Sequence, residues 1–194
     1  MKKVLKELVD LRSGFQGKTT EGESYKLIKL KDVQKSGTIN KADLETFDTD
    51  KIASKHLLKK GDIIFKAKSV DNTAALIEDE ASNLVASAHF ILMTVKEEVK
   101  NHVLPEYLMM YLNSEYAQSY CKKHAQGTTL PIIRLGDLEN LEVILPTIEE
   151  QHKLGELYKL MLKERMTMEQ IMEEREKQVT GKLRQAIMEV ELCD

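Results

Sequence analysis

At 194 residues, with 42% hydrophobic and 31% charged residues, the chain has the length of one domain with an appendage and enough apolar material for a core. Its longest apolar run, around Phe90-Ile91-Leu92-Met93, falls far short of the ~20 residues of a membrane span, and Lys6, Glu7, Asp10 and Arg12 break up the apolar stretch a signal peptide would need. Two cysteines, Cys121 and Cys193, exclude a disulfide scaffold, so the expected setting is soluble, reduced and cytoplasmic. The net charge of −3 hides an asymmetry. Residues 1–134 carry 21 Lys/Arg against 18 Asp/Glu, whereas residues 135–194 carry 8 against 14. A mildly basic body beside an acidic tail permits an anionic partner for the body alone.

In chain order, Tyr25–Leu30 reads as a strand, followed by turn chemistry at Gln34–Thr38. Gly61–Lys66 reads as a turn feeding a strand, and Thr73–Ile77 and Phe90–Val95 as further strands. Pro105 opens a helix, a position proline tolerates. Met109, Leu112, Tyr116 and Tyr120, at spacings of three and four, give that helix one apolar face. Leu141–Pro146 is a last strand. The first part, residues 1–146, is therefore expected to be a mixed α+β domain.

Beyond Pro146 there is no proline. Thr147 is positioned to cap a helix, with Glu149 and Glu150 in its first turn. Leu157, Met161, Met168, Met172, Val179, Leu183, Ile187 and Val190 recur at gaps of 4, 7, 4, 7, 4, 4 and 3. That spacing keeps one apolar stripe on a helix of about 40 residues, ~60 Å long. Residues 147–194 are thus read as a helical region whose stripe calls for a partner helix.

A search for catalytic patterns finds no glycine-rich phosphate loop, no His-Glu-x-x-His and no Gly-x-Ser-x-Gly. Cys121-Lys122-Lys123-His124 resembles half a zinc site, but no second pair of ligands accompanies it. Glu98-Val99-Lys100 with Asp79 resembles a metal-dependent nuclease motif, of a kind that a highly charged chain generates by chance. His89 is read as a structural histidine in a strand. Tyr107, Tyr111, Tyr116 and Tyr120 have the spacing of a packing face more than of a base-stacking platform. No catalytic site is expected.

The order of the segments carries a resemblance. Ser13-Gly14-Phe15-Gln16-Gly17-Lys18 is followed by Tyr25 to Val33, Gly37-Thr38-Ile39 and Leu58-Lys59-Lys60-Gly61-Asp62-Ile63-Ile64. Then come Pro105-Glu106-Tyr107-Leu108 through Leu112-Asn113-Ser114, Gly127-Thr128-Thr129, and Leu135 to Leu141. Val143-Ile144-Leu145-Pro146-Thr147-Ile148-Glu149-Glu150-Gln151 is similar to the proline-rich junction that precedes a long helix in the DNA-specificity (S) subunits of type I restriction-modification systems. Thr147 stands where a second proline is usual. The chain resembles a short "half S" form of that family, with one target-recognition domain.

The resemblance implies a target-recognition domain over 1–146 and a helical spacer and dimerisation region over 147–194, the helices pairing as an antiparallel coiled coil between two copies. It implies a non-catalytic subunit that reads a bipartite, palindromic target in double-stranded DNA. Such a subunit docks adenine-methyltransferase (M) subunits, with a restriction (R) subunit as an optional further partner. No cofactor is expected on this chain; S-adenosylmethionine and ATP would belong to the partner subunits. For DNA contact, the cations Lys18, Lys66, Lys68 and Arg134 suit phosphate or guanine. Gln16, Ser69, Asn72, Thr128 and Thr129 supply amides and hydroxyls from turn-rich segments. Leu157, Met161, Met168, Met172, Val179, Leu183, Ile187 and Val190 form the partner face. Two other readings stay open: a helical adaptor that never touches DNA, and a nuclease using Asp79, Glu98 and Lys100.

Overall fold

The structure, a computed structural model, describes residues 1–50, 52–80, 82–127 and 130–191, with the side chains of Ala186, Glu189, Val190 and Glu191 left undescribed. The chain divides into two units, Met1–Gly155 and Glu156–Asp194. The first unit opens with β1 (Lys2–Val4), α1 (Leu5–Leu8), β2 (Val9–Ser13), β3 (Thr20–Ile28) and β4 (Glu45–Asp48). It continues with β5 (Ile63–Lys66), β6 (Ala74–Leu76), β7 (Leu84–Ala86) and β8 (Phe90–Val95). Then follow α2 (Pro105–Leu112), α3 (Glu115–His124), α4 (Leu135–Glu139), β9 (Glu142–Ile144) and the start of α5 (Ile148–Glu191). The remainder of α5 makes up the described part of the second unit. The fold is α+β.

A four-stranded antiparallel sheet, in the order β2-β8-β5-β6, forms the centre. Every residue of β5 is buried, as are Phe90 to Met93 of β8, which is why Ile63–Phe65 and Phe90–Met93 read as unbroken apolar runs rather than alternating ones. A three-stranded sheet, β4-β3-β7, contains a parallel β3–β7 pair. Ile28 and Ala86 from that sheet share one core with Ile64, Ala75, Phe90 and Leu92 from the central sheet. β1 and β9 pair antiparallel, Lys2 opposite Ile144, and the amide of Leu145 donates to the carbonyl of Met1 at 2.7 Å.

Several elements differ from the sequence reading. β1, α1 and β2 were not expected, because residues 2–13 mix charges with apolar residues at no sustained period. Their structure comes from partners far along the chain, β9 for β1 and β8 for β2. β4 and β7 are likewise short strands set by pairing with β3. The single helix expected after Pro105 is two. At the break, the side chain of Asn113 accepts from the Ala74 amide (2.8 Å) and donates to the Ala74 carbonyl (2.9 Å), satisfying the open edge of β6 as a neighbouring strand would. Ser114 then caps α3, its hydroxyl accepting from the Ala117 amide at 3.4 Å.

Two polar networks fix the start of β5 and the start of α5. Gly61 takes φ +87°, which glycine adopts without a steric penalty, and turns Asp62 inward. The Asp62 carboxylate, almost fully buried, accepts from the Arg12 guanidinium (2.8 Å), the Thr94 hydroxyl (2.5 Å) and the Lys59 amide (3.0 Å). The Arg12 Nε–H donates to the Lys55 carbonyl at 2.6 Å. The second network starts α5. Thr147 and Glu150 form a capping box: the Thr147 hydroxyl accepts from the Glu150 amide (3.3 Å), and the Glu150 carboxylate accepts from the Thr147 amide (3.0 Å) and hydroxyl (2.9 Å). Those Thr147 donors hold the Glu150 carboxyl below the usual glutamate range. Its contribution is therefore present above the ordinary glutamate pKa and is lost as pH falls through the depressed value.

Next in the chain, Gln151 is completely buried. Its side-chain oxygen accepts from the Leu104 amide at 3.0 Å, and its side-chain nitrogen donates to the carbonyls of His102 (2.8 Å) and Pro146 (3.1 Å). Gln151→Ala strands one amide and two carbonyls in a dry environment, at roughly 1–3 kcal/mol for an unsatisfied buried group. Urea unfolding of the variant should show a stability loss of about 2–3 kcal/mol. A loss under about 0.5 kcal/mol, the size of a neutral surface change, would mean that these groups are not held by Gln151.

Candidate nucleic-acid interface

At the opposite end of the central sheet, where β2 and β5 finish and β6 and β8 begin, four loop segments are tied together by main-chain hydrogen bonds. The Gly14 amide donates to the Phe90 carbonyl (3.0 Å) and the Phe15 amide to the Ala86 carbonyl (2.8 Å). A Cβ on Gly14 would lie 2.1 Å from the Ser87 carbonyl oxygen, so this approach of two backbones requires glycine. The Ala67 and Lys68 amides both donate to the His89 carbonyl (2.9 and 3.2 Å), and the Ile133 amide to the Ala67 carbonyl (2.8 Å). Gln126 and Ile132 exchange two main-chain bonds across the turn at Gly127, which has φ +93°. Main-chain bonds thus tie residues 14–15, 67–68, 86–90 and 132–133 together at one edge, with Gln126 joined to it through Ile132.

This edge gathers most of the residues expected to touch DNA, in two different roles. Gln16, Lys18 and Arg134 are exposed and Lys68 is half-buried. Lys18, Lys68 and Arg134 have no ion-pair partner among the described residues. Arg134 lies just ahead of α4, its carbonyl accepting the Leu138 amide at 3.1 Å. Lys66, Ser69 and Asn72 depart from the expectation of outward contacts, since all three are buried and turned into their own loop. The Lys66 ammonium pairs with Asp71 at 3.0 Å, the Ser69 hydroxyl donates to the same carboxylate at 3.4 Å, and the Asn72 side-chain amide donates to the Lys66 carbonyl at 2.9 Å. The Gln118 side chain secures the loop from α3 by donating to the Asn72 carbonyl at 2.9 Å. What the loop leaves outward is Val70, 81% exposed. Thr128 and Thr129 lie outside the described residues.

Sequence reasoning missed Val70 and misplaced His89. The imidazole is exposed in the turn before β8, with its Nδ1 3.4 Å from the Ser87 hydroxyl oxygen, instead of enclosed in a strand. The alternation of polar residues around Val70 gave no sign that the polar ones would satisfy each other. Tyr107 and Tyr111 are buried, and their hydroxyls donate to the carbonyls of Ile144 (2.5 Å) and Glu142 (3.0 Å). Burial pushes the Tyr107 phenol up to about 12. Tyr116 is half exposed, and the Tyr120 hydroxyl donates to the Asp137 carbonyl at 2.7 Å.

The residues of the metal-based readings are not brought together. Asp79 pairs with Lys41 at 2.5 Å, and Lys100 with Glu97 at 2.5 Å. Cys121 is fully buried, its thiol pushed up to about 11 by desolvation, and the His124 ring stacks on Tyr120 at 3.9 Å. Among the described residues no group of three or more His, Cys, Asp or Glu side chains is arranged to hold a metal ion. No described helix is long and apolar enough to cross a membrane. In the second unit, Leu157, Met161, Met168, Met172, Val179, Leu183 and Ile187 are all exposed. The side chain of Val190 lies outside the described residues.

A loop-built, cation-bearing edge on an α+β domain has the form of a nucleic-acid-recognition module. The chain belongs to the type I restriction modification DNA specificity domain family, whose match spans residues 3–171. Solved structures with the same fold include the type I restriction-modification S subunit from M. genitalium, with 19% identity and a TM-score of 0.54 over 81% of this chain and 37% of that one. The HsdS subunit from Thermoanaerobacter tengcongensis gives 18% identity and a TM-score of 0.60, covering 86% of this chain and 43% of that one. A chain from a study of complex assembly and conformational transition of the type I R-M system gives 15% and 0.62, over 87% and 39%. The present chain therefore spans about two-fifths of the length of these solved chains. No curated protein sequence matches it.

Stapling of the 66–72 loop generates a prediction. Asp71→Ala leaves a nearly buried ammonium without its counter-charge, which in fully buried pairs costs about 3–5 kcal/mol. Asp71 is itself partly exposed, so about 2 kcal/mol is expected after allowing for solvent screening. Amide hydrogen exchange should accelerate over 67–73 in the variant. Unchanged protection there would show that the pair does not hold the loop.

Proposed function

We propose that this chain is a DNA-recognition subunit of a type I restriction-modification system that reads its target with the edge bearing segments 14–18, 67–72, 87–89, 126–127 and 130–134. The observation that carries the reading is that Lys18, Lys68 and Arg134, none ion-paired among the described residues, lie within three residues of main-chain segments tied together at one end of the central sheet in a domain of this family. Cations of this kind neutralise phosphates, while Gln16, His89 and Val70 are available to base edges. Thr128 and Thr129 retain their proposed role in the same segment.

The subunit acts as a homodimer through the exposed stripe of α5, and adenine-methyltransferase subunits, with or without a restriction subunit, dock on the assembly. S-adenosylmethionine and ATP are assigned to those partners. Two identical domains related by a two-fold axis read the same half-site in opposite orientations, so the target is an interrupted palindrome. Mapping of adenine methylation after co-expression with the cognate methyltransferase should return such a motif with one fixed spacing. An asymmetric motif would exclude the homodimer as the reading unit.

The exposed stripe also favours a second reading, a helical adaptor that never meets DNA. Salt dependence separates the two. Each phosphate contact contributes about 0.9 to the slope of log affinity against log salt, so the triple variant Lys18→Ala/Lys68→Ala/Arg134→Ala should lower that slope by about 2–3. Binding that is absent in the parent protein, or unaltered in the triple variant, would favour the adaptor.

A further inference from the structure

The partner face of α5 repeats every eleven residues. Leu157, Met168 and Val179 form one row and Met161, Met172 and Leu183 a second, each at intervals of 11. A third row, on the other side of the first, holds Leu160 and Ile171, followed by Lys182. The eight apolar members of these rows are all exposed. Eleven residues make just over three turns of α-helix, so the rows stay on one face along the whole stripe, and a pair of helices built on this repeat winds slightly right-handed.

A fourth row lies seven residues after the first, on the same face. It holds Glu164, then Arg175, then Ala186. Glu164 and Arg175 are exposed, and neither is in an ion pair among the described residues. Apart from Lys182 at its far end, which the register below sets opposite Leu157, the face is otherwise apolar, and two opposite charges within it discriminate between partners and between orientations. A parallel second copy would set Glu164 beside Glu164 and Arg175 beside Arg175. An antiparallel second copy centred between Glu169 and Gln170 sets each Glu164 against the other copy's Arg175. The same register opposes Met168 to Ile171 and Leu160 to Val179.

We infer that α5 pairs antiparallel with a second copy of this chain in that register, locked by two symmetric Glu164–Arg175 contacts in an eleven-residue seam. The inference rests on the dimer reading above and specifies its register. The test is a charge-swap cycle on the full-length chain, read by sedimentation equilibrium, with circular dichroism confirming helix content. Glu164→Arg and Arg175→Glu each convert two attractions into two repulsions and should weaken dimerisation about tenfold, taking a few tenths of a kcal/mol for each exposed contact. The double variant E164R/R175E regenerates opposite pairs and should restore the parent affinity. A parent protein that dimerises while both single variants dimerise equally well, or a double variant weaker than either single one, overturns the register and leaves the dimer standing. A parent protein that stays monomeric at all concentrations overturns the dimer and the register with it, and leaves the face to a helix from another subunit.

Discussion

The buried amide of Gln151 is the constraint on which the arrangement of the first unit depends. It bonds at once to the main chain before α2, at His102 and Leu104, and to the main chain after β9, at Pro146. β9 in turn pairs with β1, and the chain from β1 runs through α1 into β2 of the central sheet. One side chain therefore ties the start of α5, the start of α2 and the strand pair that closes the unit. Only a side chain with both a donor and an acceptor can serve all three groups: glutamate lacks the donor, and asparagine lacks the reach. The capping box just before it satisfies the Thr147 and Glu150 amides, so the helix begins at a defined place.

The two ends of the central sheet handle charge in opposite ways. At the Gly61 end, Arg12 and Asp62 satisfy each other and the surrounding main chain, and their charges are spent internally. At the other end the loops satisfy their own backbone first, through His89, Ala67, Gln126 and Ile132, and leave Lys18, Lys68 and Arg134 outward. A partner that meets such an edge does not have to order it, so less of the contact energy is lost to loop entropy. Lys66 and Asn72 are part of that preorganisation, holding their own loop in place of facing outward.

Much of the fold was legible from the sequence because it was written in local chemistry. Phe90–Val95 and Ile63–Lys66 are apolar runs bounded by turns, Gly37 and Gly61 mark positive-φ turns, and Thr147 with Glu150 marks a helix start. What was not legible depends on distant partners. Residues 2–13 form β1 and β2 only because β9 and β8 offer edges, and Asn113 breaks a helix because Ala74 needs a hydrogen-bonding neighbour. The candidate interface follows the same division. Turn-rich composition located the loops, but whether Lys66 or Lys68 faces outward depends on Asp71 and His89, which no local pattern encodes.

The acidity of the second part of the chain also divides unevenly, and this bears on how its helix pairs. Of the excess over residues 135–194, five acidic residues and no Lys or Arg fall between 135 and 150. The helical stretch 156–191 holds 8 acidic against 7 basic residues. Two copies of that stretch therefore meet with almost no net repulsion, and the sum of their charges neither favours nor opposes association. What remains to select the orientation is placement. A neutral helix with all its charges on the outer face would pair in either direction with similar energy, whereas one that sets a glutamate and an arginine eleven residues apart inside its apolar face pairs well in only one. In the proposed homodimer, a palindromic target and antiparallel helices would be two expressions of the same two-fold axis, the second selected by two side chains of α5.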